Sequence, residues 1–283
     1  MIFTYSLYNP GKKVKMALQK QQAGLVIDVQ LGCISLMEPQ DAKAYLDHLG
    51  KTLSDMRGSG IPVHWVTMST RNQLFEPQNN NTGLRSRAQL DTMDFYQGDK
   101  KGPRAEDVPN FDIFNDFMFG NKEKGVPAFG PRMNEAVFCK DAFGTFNTSY
   151  DESGNPGTMT EFLNSRKEQY GENHLLLMGT TTQVCCLKTA TGAIEKGFNT
   201  IALTDCVAGW TDNKYKRLTW REGNVTPEWH QSEMISGVEN ERMGFTATDR
   251  SAISKISFGN AADFIARNNY APTLLNDFQQ SPS

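Results

Sequence analysis

Short apolar runs recur along the chain, separated by stretches whose apolar residues follow a helical period. Residues 24–29 (Gly-Leu-Val-Ile-Asp-Val) form a run broken only by one acid, in the style of a strand buried on both faces. Residues 61–68, 136–140, 174–178 and 200–203 repeat that style. Helical spacing covers roughly 40–57, which stops at Gly58-Ser59-Gly60, then 158–170, and then a stretch from Thr182 to near Gly197. The pattern predicts one more helix over 228–242 and a sixth, shorter strand over 244–248. Strands alternating with helices imply an α/β protein with a parallel sheet covered on both sides.

Residues 69–135 interrupt the rhythm. They are rich in Asn, Gln, Gly, Pro and charge, with an aromatic cluster at Phe111, Phe114, Phe117 and Phe119. A stretch this long without clear period reads as an insertion, a lid or an oligomer contact. The rest reads as one domain over 1–270 with a frayed tail at 271–283.

Bulk composition narrows the function classes. The 283 residues are 38% hydrophobic and 22% charged, typical of a globular domain, and a formal net charge of -3 argues against nucleic-acid or anionic-membrane partners. No apolar stretch approaches the roughly 20 residues of a membrane helix. The only apolar piece near the start precedes Lys12, Lys13 and Lys15, the wrong order for a secretory signal, so a cytoplasmic location is expected. The 5 cysteines have neither metal-type spacing nor disulfide-like density, and reduced thiols are the expectation.

The segment from His174 to Ala190 carries the chemistry. A buried run ends at Gly179 and the triplet Thr180-Thr181-Thr182, and Cys185 falls in the first turn of the following helix. Unpaired N–H groups and the macrodipole favour a thiolate there. In an open parallel sheet, ligands bind beyond the carboxyl ends of the strands. Asp28, Lys140 and Cys185 all fall at such ends. In such a set Lys140 would favour the thiolate and hold Asp28 ionised. Asp28 would take the thiol proton and return it to a leaving amine, while helix-start N–H groups stabilise an oxyanion.

These pieces together resemble a known family. Leu25-Val26-Ile27-Asp28-Val29-Gln30, Lys140 with Phe146 and Thr148, and Gly179-x-x-Thr182-x-x-Cys185-x-x-x-Thr189-Ala190 resemble the isochorismatase-like cysteine hydrolases, over roughly residues 23–250 apart from the insertion. Asp205 and His230 match an acid and a histidine of that family. The resemblance implies a three-layer α/β/α sandwich with a six-stranded, mostly parallel sheet. It implies an Asp28–Lys140–Cys185 triad, a cis peptide at Thr180–Thr181, and Thr181 and Cys185 as oxyanion-hole donors. It further implies a homo-oligomer, dimer or tetramer, acting on a small molecule.

Other residues carry competing readings. Gln30 and Phe146 are candidate substrate contacts, and Arg71 is a candidate fork for a carboxylate or carbonyl or else a solvated loop residue. Cys186 lies on a small-residue helical face with Ala190 and Ala193 and reads as packing, as do Cys139 and Cys206; Cys33 reads as packing near the pocket. Asp205 reads as a turn anchor. Nicotinamidases of the family bind zinc through an Asp-x-His motif after the second strand. Here that place reads Thr67-Met68-Ser69-Thr70-Arg71-Asn72-Gln73, and the 4 histidines lack ligand spacing. No metal and no cofactor are expected, and nicotinamide is disfavoured as a substrate. The function expected is metal-independent hydrolysis of a C–N bond in a small amide, ureido or carbamoyl compound. Vinyl-ether hydrolysis of isochorismate, with Asp28 as acid and no need of a thiol, is the alternative. A catalytically idle scaffold that binds a partner through the insertion is a third reading.

Overall fold

A computed structural model describes residues 21–68, 108–140, 144–146, 149–150, 158–210, 218–220, 234–235 and 247–268. Its strands are β1 Gln21–Ile27, β2 Val63–Met68, β3 Val137–Lys140, β4 Ser149–Tyr150, β5 Glu172–Thr180, β6 Asn199–Trp210, β7 Leu218–Thr219 and β8 Ser257–Gly259. Its helices are α1 Leu31–Ile34, α2 Pro39–Gly58, α3 Phe111–Phe119, α4 Thr158–Tyr170, α5 Leu187–Glu195, α6 Ala247–Ile253 and α7 Ala261–Asn268. Among these residues no helix is long and apolar enough to cross a membrane.

The sheet runs β4-β3-β2-β1-β5-β6-β7, with β8 also on β6. The six strands β3-β2-β1-β5-β6-β8 are mutually parallel, whereas β4 on β3 and β7 on β6 are antiparallel. The expected six-stranded parallel sheet is therefore the centre of an eight-stranded one. The two extra strands are two residues each, too short to carry an apolar period. The sixth parallel strand is Ser257–Gly259; Ala247 and Thr248, expected to end a strand, lie in α6. The expected helix over 228–242 falls almost wholly outside the described residues, as do the tail and Arg71, Thr148 and His230.

Alternation sorts side chains between two cores. Ala23, Leu25 and Ile27 of β1, Leu175 and Leu177 of β5, and Phe138 of β3 face the layer of α4 and α5. Val26, Leu176, Met178, Val63, Trp65, Val137 and Cys139 face the layer of α2 and α3. Helix α2 starts with Pro39 at its first turn, and its stripe Ala42, Tyr45, Leu46, Leu49, Leu53 and Met56 is buried, the spacing of one helical face.

Residues 108–135, the end of the expected insertion, join this core. Phe114, Phe117 and Met118 of α3 are buried, and Phe129 packs 5.6 Å from Phe117. A buried clip holds the segment. Arg57 of α2 donates to both carboxylate oxygens of Glu135 (2.7 and 2.8 Å) and to the carbonyls of Phe129 and Gly130. Trp65 Nε1 donates to the same carboxylate at 2.9 Å. The fork geometry pairs both charges and uses most of their polar atoms, the condition under which a buried ion pair is tolerated.

Candidate active site

Two unusual backbone conformations, at Asp28 and at Gly179–Thr181, bring the candidate side chains together. Asp28 follows β1 with φ +48, a left-handed conformation uncommon for a residue other than glycine. This lifts the carboxyl out of the strand's alternation, while Asp28 N–H still donates to Val66 O at 2.8 Å. Gly179 has φ +123 and is paired with Ile27. A Cβ there would lie 1.9 Å from Ile27 O, so only glycine lets β5 pass β1 this closely. The peptide between Thr180 and Thr181 is cis. Thr180 Oγ1 donates to Asp28 O at 2.6 Å, tying the two segments together.

The helix of Cys185 does not begin as the regular α-helix that the sequence pattern predicts. Thr182–Cys186 form a π turn in which Cys186 N–H reaches Thr181 O at 3.0 Å and Val184 N–H reaches the same oxygen at 3.2 Å. Gln183 clamps this turn to β6: its Nε2 donates to Trp210 O and its Oε1 accepts from Trp210 N–H, both at 2.9 Å. Cys185 lies in this first turn, where N–H groups point out of the helix end. Thr181, the residue before the turn, is buried beside it.

Lys140 ends β3 on the same face as Phe138, because the two are two positions apart. Its Nζ lies 2.7 Å from Asp28 Oδ2, with side-chain exposures of 0% and 2%. Burial pulls the ammonium down, but the Asp28 charge and neighbouring hydrogen bonds outweigh it, so Lys140 is held above its ordinary value. The Cys185 thiol interacts with both partners. Its burial, together with the Asp28 carboxylate as charge and hydrogen-bond acceptor, raises it well above 9.0 against the opposing pull of Lys140. Lys140 pulls the thiol toward acidity as expected, but burial and Asp28 outweigh that pull. The sequence pattern shows the helix terminus and the lysine; the burial and the nearness of the carboxylate that reverse the balance appear only in the fold. Passing the thiol proton to Asp28 leaves the charge of the set unchanged and creates a nucleophile.

Further residues sort themselves around this centre. Gln30, fully buried, caps α1: its carbonyl accepts from Cys33 N–H at 3.0 Å and Ile34 N–H at 2.9 Å. Phe146 is 3% exposed, packs 6.0 Å from Phe198, and its carbonyl accepts from Thr160 Oγ1 at 2.6 Å, a packed position against α4 and α5. Cys33 lies beside Asp28, whose charge adds to burial in pushing its thiol up to about 12, while a hydrogen bond with Thr180 pulls the other way. Thr180, expected only as half of the cis peptide, and Gln183, with no expected role, hold the geometry through their side chains. The signal available was a hydrogen-bonding side chain at each of these positions. Asp205, expected as a turn anchor, lies instead within β6 and ties it to two helices: it contacts His48 Nε2 of α2 at 3.1 Å and accepts from Ala261 N–H at the start of α7 at 2.9 Å. His48, Asp205 and Cys206 bring their ligand atoms within 4.8 Å of one another. Cys206 Sγ is shared with Thr52 Oγ1 at 3.4 Å and Asp205 is already bonded on both oxygens, so the cluster is satisfied from within.

The sequence model described as the isochorismatase domain matches residues 22–226. No curated protein matches the chain. Among solved structures, a cysteine hydrolase from Pseudomonas syringae pv. phaseolicola is similar at 17% identity, over 88% of this chain and 93% of its own, with TM-score 0.46. An isochorismatase family protein from Burkholderia thailandensis is similar at 18% identity, over 89% and 97%, with TM-score 0.45. N-carbamoylsarcosine amidase from Thermoplasma acidophilum is similar at 16% identity, over 85% and 96%, with TM-score 0.43.

Proposed function

Because the chain belongs to the isochorismatase family and is a hydrolase, we propose that it cleaves a C–N bond of a small amide, ureido or carbamoyl compound through a thioester on Cys185. The observation that carries this reading is the buried Asp28–Lys140 pair at 2.7 Å, with the Cys185 thiol against both members.

The cycle begins with a neutral thiol. As Sγ attacks the carbonyl carbon, its proton passes to Asp28 and the carbonyl oxygen takes up negative charge. The N–H groups of Thr181 and Cys185 are the donors assigned to that oxygen. Collapse of the tetrahedral intermediate breaks the C–N bond, and Asp28 returns the proton to the departing nitrogen. Asp28 then removes a proton from water, which attacks the thioester; the sulfur leaves and is reprotonated. Lys140 stays charged throughout. Its role is to keep Asp28 in place and to balance whichever anion, carboxylate or thiolate, is present at each step.

Ammonia release from a panel of small amides, ureides and carbamoyl amino acids, with isochorismate in parallel, tests the reading. Turnover of a C–N substrate by the wild type and a loss of about a thousandfold or more in Cys185→Ala, with an unchanged circular-dichroism spectrum, is the expected result. Full activity in Cys185→Ala would remove the thioester route, and isochorismate cleavage in that variant would favour acid catalysis by Asp28 alone.

A further inference from the structure

The rim of the sheet opposite Cys185, where β2 and β3 begin, holds a cavity of about 610 Å³. Residue spacing of about 3.3 Å along β3 puts Val137, at the cavity end, roughly 10 Å from Lys140 at the other. The cavity is thus separate from the catalytic reading and does not depend on it. It wraps the sheet edge, with Arg57 from α2 on one side and Phe162 and Arg166 from α4 on the other.

Its lining is unusual in two respects. His64 of β2 is 3% exposed, yet neither ring nitrogen has a hydrogen-bond partner among the described residues. Its ring stands edge-on to Phe162, with centroids 4.9 Å apart. Buried polar groups are almost always paired, so an orphan imidazole on a cavity wall points to a partner from outside the chain. The second feature is charge. Arg57 and Arg166 also line the cavity but are engaged, by Glu135 and Glu172 respectively. Arg132 lies exposed on the same wall, and its guanidinium has no carboxylate partner among the described residues. With Glu135 and Glu172 neutralising Arg57 and Arg166, the Arg132 guanidinium leaves an excess of one positive charge at the cavity. The apolar remainder, chiefly Ile61, Pro62 and Phe162, offers a surface for a hydrocarbon or aromatic body.

We propose that this cavity binds a small organic anion, a carboxylate or phosphate ester with an apolar body, with its charged end on Arg132 and an oxygen hydrogen-bonded to His64. The volume falls in the range of small-ligand sites, and a guanidinium fork suits either anionic head. Separation from Cys185 makes such a ligand an effector and not a substrate.

Isothermal titration calorimetry of the full chain with benzoate and with phenyl phosphate, in a buffer free of other carboxylates and phosphates, tests this. Saturable binding of at least one probe is expected; which one binds identifies the head group. Arg132→Ala, on an exposed side chain, should weaken that binding by about tenfold or more without changing Tm. His64→Phe, which removes the polar partner and fills space, should weaken it as well, and Cys185→Ala should bind as the wild type does. The proposal is overturned if neither probe gives saturable heat at millimolar concentration, if Arg132→Ala binds unchanged, or if binding disappears in Cys185→Ala.

Discussion

His64 should make the fold sensitive to acid, to an extent that can be worked out beforehand. Burial, with the Arg166 cation nearby, lowers this imidazole from 6.5 to about 3. In the folded protein it therefore stays neutral, while in the unfolded chain it takes up a proton as pH falls below its ordinary value. A depressed folded-state value contributes stability that is present above pH 6.5 and lost progressively as pH falls toward about 3. Each pH step within that window costs about 1.4 kcal/mol, so lowering pH from about 7.5 to about 5 should remove about 2 kcal/mol through His64 alone. The comparison that isolates this term is His64→Phe, which keeps the aromatic contact to Phe162 and cannot titrate. Urea unfolding of both proteins at the two pH values, in anion-poor buffer, gives the difference. The wild type should lose about 2 kcal/mol more than the variant, since every other group contributes equally to both. Equal losses would mean that His64 titrates alike in the folded and unfolded chains, and the reasoning from its burial would be wrong.

Lys140→Met strips the cation from a carboxylate that is 2% exposed, and should cost about 3–5 kcal/mol in urea unfolding together with all turnover; an unchanged midpoint would show that Asp28 is solvated. Gly179→Ala should yield little soluble protein or cost about 4 kcal/mol or more, because its Cβ meets backbone at 1.9 Å in the central strand pair. Gly58→Ala, with nothing within 4 Å of its added carbon, serves as the control that should leave Tm nearly unchanged. The elevated Cys185 thiol should react with iodoacetamide more slowly than free cysteine at about pH 8, at a rate still climbing beyond pH 9.0. The same elevation costs stability in alkali, because above 9.0 the unfolded thiol ionises while the folded one does not; a rate plateau below 9.0 would contradict it.

What could be read from sequence follows from period and position. The apolar runs at 24–29, 174–178 and 200–203 predict strands that the fold contains, and the helix expected at 158–170 is α4, Thr158–Tyr170. The nearness of Asp28, Lys140 and Cys185 was legible because each stands at or just past the end of such a run, and strand ends in a parallel sheet share one rim. Three things were not. The last parallel strand, Ser257–Gly259, is three residues long and only partly apolar, so no period marks it. Strand β6 continues to Trp210, well past the apolar run, because its pairing with β5 shifts register between Leu177 and Gly179. The sign of the Cys185 shift depends on desolvation, a property of the packed neighbourhood and not of the local sequence.

The left-handed backbone at Asp28 limits how this enzyme can lose its chemistry. A φ of +48 suits aspartate, asparagine and glycine and strains nearly every other residue. Asparagine would keep the turn and most of the packing, but a carboxamide cannot take the proton-carrying part that the proposed cycle gives Asp28. One amide in place of one acid would thus leave a well-folded protein of the same shape with no proton carrier. A silent relative of this enzyme should therefore be sought by reading position 28 and not by measuring how well it folds.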